Sequence, residues 1–384
     1  MIPDRVVQIV GDGIDGRWLT WRWGDGSFPL GVAQTDGLQP AVQRLRASLP
    51  LNEDRGALEL ALNGALTRLD TETGLMRDLA DALLPAELQR QLLSRAGEEG
   101  RLQVRVAPSR PASIVPWGLL LVGGELRLLE FADVSWLAPP LPRDVGRAPQ
   151  PPSWEEVKSW PALHVLDPRL AAQDQVLLSP DDALRIVGEP SGATAQNKVT
   201  GDSLSRSLHE RTSRFFFLGH CAAGGEEARR GLVLSDLRGG RHDPLTAAEL
   251  IADPKRWPMP PRAAVVACSS GSDMADFEPF GLATALLHNG AGLVQATLWT
   301  IPTDSALREH GEGTEGAFLA LARGLEVAQR SDDPVATLHA WQRERLQDWK
   351  DRPSLDTSPL LWGSAMTMTA PPRRLPGVRP ASRI

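Results

Sequence analysis

Residues 261–301 read PRAAVVACSSGSDMADFEPFGLATALLHNGAGLVQATLWTI. Ala263–Ala267 is a short, continuous apolar run that ends at Cys268. Ser-Ser-Gly-Ser-Asp opens a loop, Phe280–His288 has helical spacing with Gly290 as its stop, and Leu293–Trp299 is a second apolar run. Strand, helix, strand in this order predicts a βαβ unit in a parallel sheet, whose chemistry lies at the carboxyl ends of the strands. Cys268 stands at such an end. Taken alone, a cysteine after an apolar strand is more often a small core residue than a nucleophile.

An earlier apolar run, RFFFLG at 214–219, leads to His220, 48 residues before Cys268. If the two strands are neighbours, an imidazole and a thiol meet at one sheet edge. That pair has a specific logic: the thiolate is the attacking form, and a nearby imidazole removes its proton and later protonates the leaving amine. Gly219, Gly224, Gly225 and Gly271 would let a substrate backbone approach. A structural histidine and a core thiol remain the alternative. Zinc is disfavoured for His220, Cys221, His242 and Cys268, because no CxxC or HxxxH spacing is present. CAAGGEEARRG is not a P-loop, because no GKS or GKT follows it.

Working outward, residues 5–36 alternate and turn on Gly-Asp-Gly motifs, which predicts a small antiparallel sheet. Leu38–Leu49, Leu58–Leu69 and Gly74–Arg95 have helical periodicity, and residues 101–108 alternate as a strand. A short helix after Pro116, a hairpin at Gly123–Gly124 and a strand ending near Ser135 follow. PPLPRDVGRAPQPPSWEE at 139–156 reads as a linker. Strands and helices then alternate: LHVLDP (163–168), a helix around Ser203–Glu210, LTAAELIAD (245–253) as a helix, helices over Gly316–Ala328 and Asp333–Trp349, and a last strand in LLWGSAMTMT (360–369). The division is a β region at 1–37, an N-terminal subdomain at 38–138, a Pro-rich linker at 139–160, a catalytic domain at 161–371 and a disordered tail at 372–384. The fold class is α/β with a largely parallel sheet, preceded by an α+β region.

The chain has 384 residues, 42% hydrophobic, enough for a substantial core. A net charge of −7 argues against non-specific nucleic-acid binding. No apolar run reaches the length of a membrane span, and the first residues lack the pattern of a signal peptide. A cytoplasmic location is expected, with both cysteines kept as thiols.

The motifs FFFLGHCAAGG, LTAAEL, AAVVACSSG and EPFGLATALLHNGAGLVQATLW, in that order, resemble the CHAT peptidases of the caspase–separase clan. IVPWGLL, LHVLDP and PLLWGSAMTMTA add to the likeness, which spans roughly residues 75–371. The resemblance implies a caspase-like three-layer α/β sandwich and a cysteine endopeptidase that needs no cofactor or metal. It implies His220 as general base, Cys268 as nucleophile, and the backbone N–H groups of Cys221 and Cys268 as oxyanion donors. Gly219, Ser269, Trp299, Asp304 and Asp273 are the candidates for substrate contact. The family often carries an inactive caspase-like half, for which residues 38–138 are the candidate. Three features depart from the family. Cys221 stands where Gly is usual, which raises a Cys221–Cys268 disulfide switch as a hypothesis. The loop after Trp299 reads TIPTDSA where the family has PVDD, so Thr303 replaces the acid and Asp304 comes one place late. Asp304, Asp273 and Asp276 are then the candidates for a basic-residue pocket. No sensor repeat is recognisable, so activation would be intrinsic or come from another protein or ligand. By analogy with small bacterial relatives, the substrate would be a partner protein, such as a pore-forming or toxic effector encoded nearby in a defence system, with no nucleic acid or membrane involved. The competing readings are an inactive CHAT-like scaffold that docks a partner, and a cysteine acyltransferase or amidase on another α/β fold.

Overall fold

The computed structural model describes residues 5–370 except 12–16, 36, 51–54, 125, 139–151, 170–176, 189–193, 197, 225–228, 236–243, 269–278 and 310–315. Most of the linker, all of the expected tail, and Ser269, Gly271, Asp273, Asp276, Gly225 and His242 lie outside these residues.

The strands in chain order are β1 (Val6–Gly11), β2 (Trp18–Trp23), β3 (Gly31–Gln34), β4 (Leu102–Ala107), β5 (Leu121–Val122), β6 (Leu126–Arg127), β7 (Ala132–Leu137) and β8 (Leu163–Leu166). They continue with β9 (Thr194–Gln196), β10 (Arg214–Gly224), β11 (Arg229–Leu232), β12 (Leu245–Thr246), β13 (Arg262–Cys268), β14 (Leu293–Thr297) and β15 (Ala365–Thr369). All but the β5–β6 hairpin join one sheet. Strands β9, β8, β10, β13 and β14 run parallel in that spatial order. β15 lies antiparallel to β14 and begins a second parallel block, β15–β7–β4–β1. β2 and β3 extend that block antiparallel. The strands expected near the N-terminus are therefore continuous with the large sheet, through the β1–β4 pairing.

Covered on both faces, the central strands read as continuous apolar runs. Phe215–Leu218 and Ala263–Val266 are buried throughout. Alternation along β14 and β15 separates the faces. Met368 of β15 receives Thr284 Oγ1 of helix Pro279–His288. Gln295, one position from the Val294 that pairs with Met368, bonds Gln329 at 3.1 Å and the Pro334 carbonyl at 3.1 Å. Helices Ala317–Arg330 and Pro334–Asp351 thus cover the face opposite Pro279–His288, a three-layer sandwich.

Among the elements that differ from their sequence reading, two owe the difference to a local cap. The helix in LTAAELIAD starts only at Ala247, because Thr246 caps it: Thr246 Oγ1 accepts the Glu249 N–H at 3.2 Å, and the Glu249 carboxylate accepts the Thr246 N–H at 2.9 Å. LLWGSAMTMT is not one strand. Pro359–Trp362 is a turn of helix capped by Ser358, whose Oγ accepts the Leu360 N–H at 3.1 Å, and β15 begins at Ala365.

One buried ion pair joins distant parts of the chain. Glu72, in helix Leu69–Leu83, accepts two hydrogen bonds of 2.6 Å from the Arg127 guanidinium. Arg127 also donates to the Leu119 carbonyl at 3.2 Å, and Trp349 Nε1 lies 3.4 Å from Glu72 Oε2. Both charged side chains are almost fully excluded from solvent.

Candidate functional site

β10 and β13 are neighbours in parallel register from Arg214↔Arg262 to His220↔Cys268. The residues that end the two apolar runs are therefore register partners on strands about 4.8 Å apart. For Cys268 the described part is the backbone, the last position of β13. Positions 214 and 220, like 262 and 268, are six residues apart, so each pair of positions belongs to one sheet face. Arg214 and Arg262 identify that face. Arg214 Nη2 donates to Glu326 at 2.6 Å and Arg262 Nη1 to the Gln329 carbonyl at 2.8 Å, both in the last turns of helix Ala317–Arg330. This helix meets the starts of the strands with its C-terminal end, so its N-terminal end lies toward their carboxyl ends.

His220 does not end its strand, contrary to the expectation. β10 continues to Gly224, because β11 pairs with it beyond the end of β8. The His220 carbonyl accepts the Val233 N–H at 2.9 Å. Alternation then turns the peptide of Cys221 the other way, toward β13. The His220 side chain is 6% exposed, and burial lowers its pKa from 6.5 to about 4. The imidazole is neutral at pH 7, the form that accepts a proton.

This shift carries a stability prediction. Below about pH 6.5 the unfolded chain takes up a proton at this histidine, whereas the fold takes it up only near pH 4. Stability contributed by the neutral imidazole is therefore complete above the unfolded pKa and lost as pH falls through that window, up to about 3 kcal/mol in all. Urea unfolding at pH 7 and at pH 5 should show a steeper loss for the wild type than for His220→Gln. Parallel losses would remove the inference.

Cys221 is buried, and burial pushes its thiol up to about 12. It projects to the face opposite His220, as successive strand residues must. A protonated, enclosed thiol on that face is unreactive. The disulfide hypothesis with Cys268 consequently gains no support, and the free Cys221 thiol is a packing residue.

Other predicted site residues also have structural roles. Trp299 is fully buried, and its indole N–H donates to the Leu360 carbonyl at 2.8 Å. It anchors the loop after β14 to the turn before β15. Asp304 opens helix Asp304–Glu309, and its Oδ1 accepts the Phe318 N–H at 2.9 Å, at the start of helix Ala317–Arg330. Burial raises its pKa against the opposing effect of that bond. Its carboxylate thus ties two helices together beside the site end of the sheet.

Gly219 makes room for a close approach. A Cβ there would lie 2.9 Å from Pro168 Cδ and 2.9 Å from Phe217 Cζ. Gly219→Ala should destabilise the chain by about 1–3 kcal/mol through overpacking next to His220. Chemical denaturation checks this, and an unchanged midpoint would contradict it.

Asp167, in LHVLDP, has a role that no sequence pattern marks. It ends the β8 segment in a left-handed conformation, φ 48°. Its N–H donates to the Leu218 carbonyl at 2.7 Å, and its carboxylate accepts the Leu177 and Leu178 N–H groups at 2.8 and 3.3 Å. It thereby holds Leu177 and Leu178 at the end of β8. Beneath the site face, Glu326 is held at about pKa 2: burial would raise it, but His164 and Arg214 outweigh burial. Among the described residues, no group of three or more His, Cys, Asp or Glu side chains could hold a metal ion. Nor is any helix among them long and apolar enough to cross a membrane.

This architecture is a caspase-like three-layer α/β fold. Two structures of the Saccharomyces cerevisiae separase–securin complex, at 3.0 Å and 2.6 Å resolution, superpose with TM-scores of 0.52 and 0.51 at 10% identity, covering 95% of this chain. The chain spans 30% of the length of those separase chains. The CHAT domain family model matches residues 73–368, and the chain belongs to the CHAT-domain family. Sequence comparison with curated proteins finds no significant match.

Proposed function

We propose that this protein is a cysteine endopeptidase with His220 as general base and Cys268 as nucleophile. The observation that carries the reading is the register pairing of the two residues at the last position of the parallel β10–β13 ladder, where β13 ends. Neutral His220 accepts the thiol proton, and the sulfur attacks the scissile carbonyl. The imidazolium then protonates the leaving amine, and water hydrolyses the acyl-enzyme. The peptide N–H groups of Cys221 and Cys268 are the proposed oxyanion donors, as the family resemblance implies. One such donor contributes about 3 kcal/mol to transition-state stabilisation.

The proposed substrate is a protein cut at few sites, in a cytoplasmic defence or cell-death pathway of a bacterium. The separase neighbours were solved with a protein partner, securin, which accords with a protein ligand for this chain. Strands β1, β4 and β7 belong to the second parallel block, and the first 138 residues hold no histidine or cysteine. That agrees with a non-catalytic N-terminal half. The direct experiment incubates the full chain with each protein encoded beside its gene. A discrete cut made by the wild type and not by Cys268→Ala is expected, and a cut made equally by both would refute the assignment.

A further inference from the structure

At the opposite end of the sheet from His220, a cleft of about 480 Å3 opens where β13 and β14 begin. Pro152, Trp154, Pro261, Pro334 and the Gly290–Leu293 turn line it, with Ala370 at its edge. The Trp154 ring stacks on the Arg262 guanidinium, 3.5 Å from centroid to carbon, and its buried indole Nε1 has no hydrogen-bond partner among the described residues. Prolines and an indole ring suit an extended, proline-containing peptide.

The surroundings are acidic. Glu155, Asp332 and Asp333 all act on Arg262. Glu155 and Asp332 are largely exposed and share one cation, Lys158, at 2.7 and 3.6 Å. Arg262 itself is occupied: besides Gln329 it donates to the Ser331 and Asp332 carbonyls.

Ala370 is pinned at this cleft, its N–H donating to the Gly292 carbonyl at 2.9 Å. The sequence continues PPRRLPGVRPASRI, with four arginines and no acid. Ala370 and Pro371 each precede a proline, which biases both to extended backbone. Arg373 is three residues on, within about 10 Å of Ala370 when extended.

We propose that the Pro-Pro-Arg-Arg segment 371–374 of this chain docks in the cleft, with the prolines against Trp154 and the arginines on Glu155 and Asp332. The cleft is then a peptide-binding site, remote from the proposed dyad and independent of any proteolytic activity.

Trypsin reads this in the intact chain, since it cuts after Arg373 and Arg374 only when the segment is undocked. Limited trypsinolysis of the native full chain, followed by mass spectrometry, should cut these bonds about tenfold more slowly in the wild type than in Trp154→Ala, as a docking free energy of about 1.4 kcal/mol gives. The double variant Glu155→Lys/Asp332→Lys changes only exposed side chains, which guards against misfolding as an explanation. It should show the same acceleration. Equal cutting rates in the wild type and the double variant would overturn the proposal.

Discussion

His220→Ala is expected to lower cleavage of the natural partner by about 10²–10⁴-fold, the contribution of a positioned acid–base group. Cys268→Ala should remove it altogether, because no other residue supplies the attacking sulfur. Cys221 cannot replace it: the Cys221 thiol is buried, protonated at neutral pH and on the other face of β10. Cys221→Ala should therefore retain most activity, which separates the two thiols. The two dyad substitutions also differ in their effect on the fold. His220 is buried, so His220→Ala leaves a small cavity, and its thermal midpoint must be measured beside its activity. His220→Gln is the better-filled control and should be equally inactive. Full cleavage by Cys268→Ala would end the endopeptidase reading, leaving a CHAT-domain scaffold that binds a partner.

The second large effect is on stability. Glu72→Ala is expected to lose about 3–5 kcal/mol, because it leaves the Arg127 guanidinium charged and unpaired in the interior. The intact pair contributes much less than this figure, since both ions were desolvated to form it. Replacing both partners, Glu72→Leu with Arg127→Met, should recover most of the loss. Urea denaturation of the wild type, the single variant and the double variant measures the cycle. A loss below about 1 kcal/mol in Glu72→Ala would mean that water reaches the site and screens the charge. The bond to Leu119 and the proximity of Trp349 make the pair a junction between helix Leu69–Leu83, the β5–β6 hairpin and helix Pro334–Asp351. The loss should therefore appear in global unfolding rather than as local fraying.

Much of the proposed catalytic half is legible in the amino-acid order alone. RFFFLG and AAVVA are buried on both faces, and strands of that kind keep an uninterrupted apolar signature, so their ends can be located to within a few residues. The place of Trp299 is not legible, because composition does not say which indoles lie inside; the Leu360 carbonyl that accepts its N–H is 61 residues away. Asp304 reads in sequence as a candidate pocket acid, yet its partner is a backbone N–H fourteen residues later. Asp167 leaves no mark because its strain belongs to one φ angle. The Glu72–Arg127 pair spans 55 residues and obeys no periodicity.

By itself, then, the sequence determined the order of the main elements, the chemical identity of the two candidate residues and the apolar runs that lead to them. Local apolar patterns and turn chemistry encode these directly. Only the tertiary structure decided that β10 and β13 are neighbours with His220 opposite Cys268, that Cys221 faces away, and that β11 carries the histidine strand onward. Strand order and register follow from which faces are buried against which helices, and those contacts lie far apart along the chain.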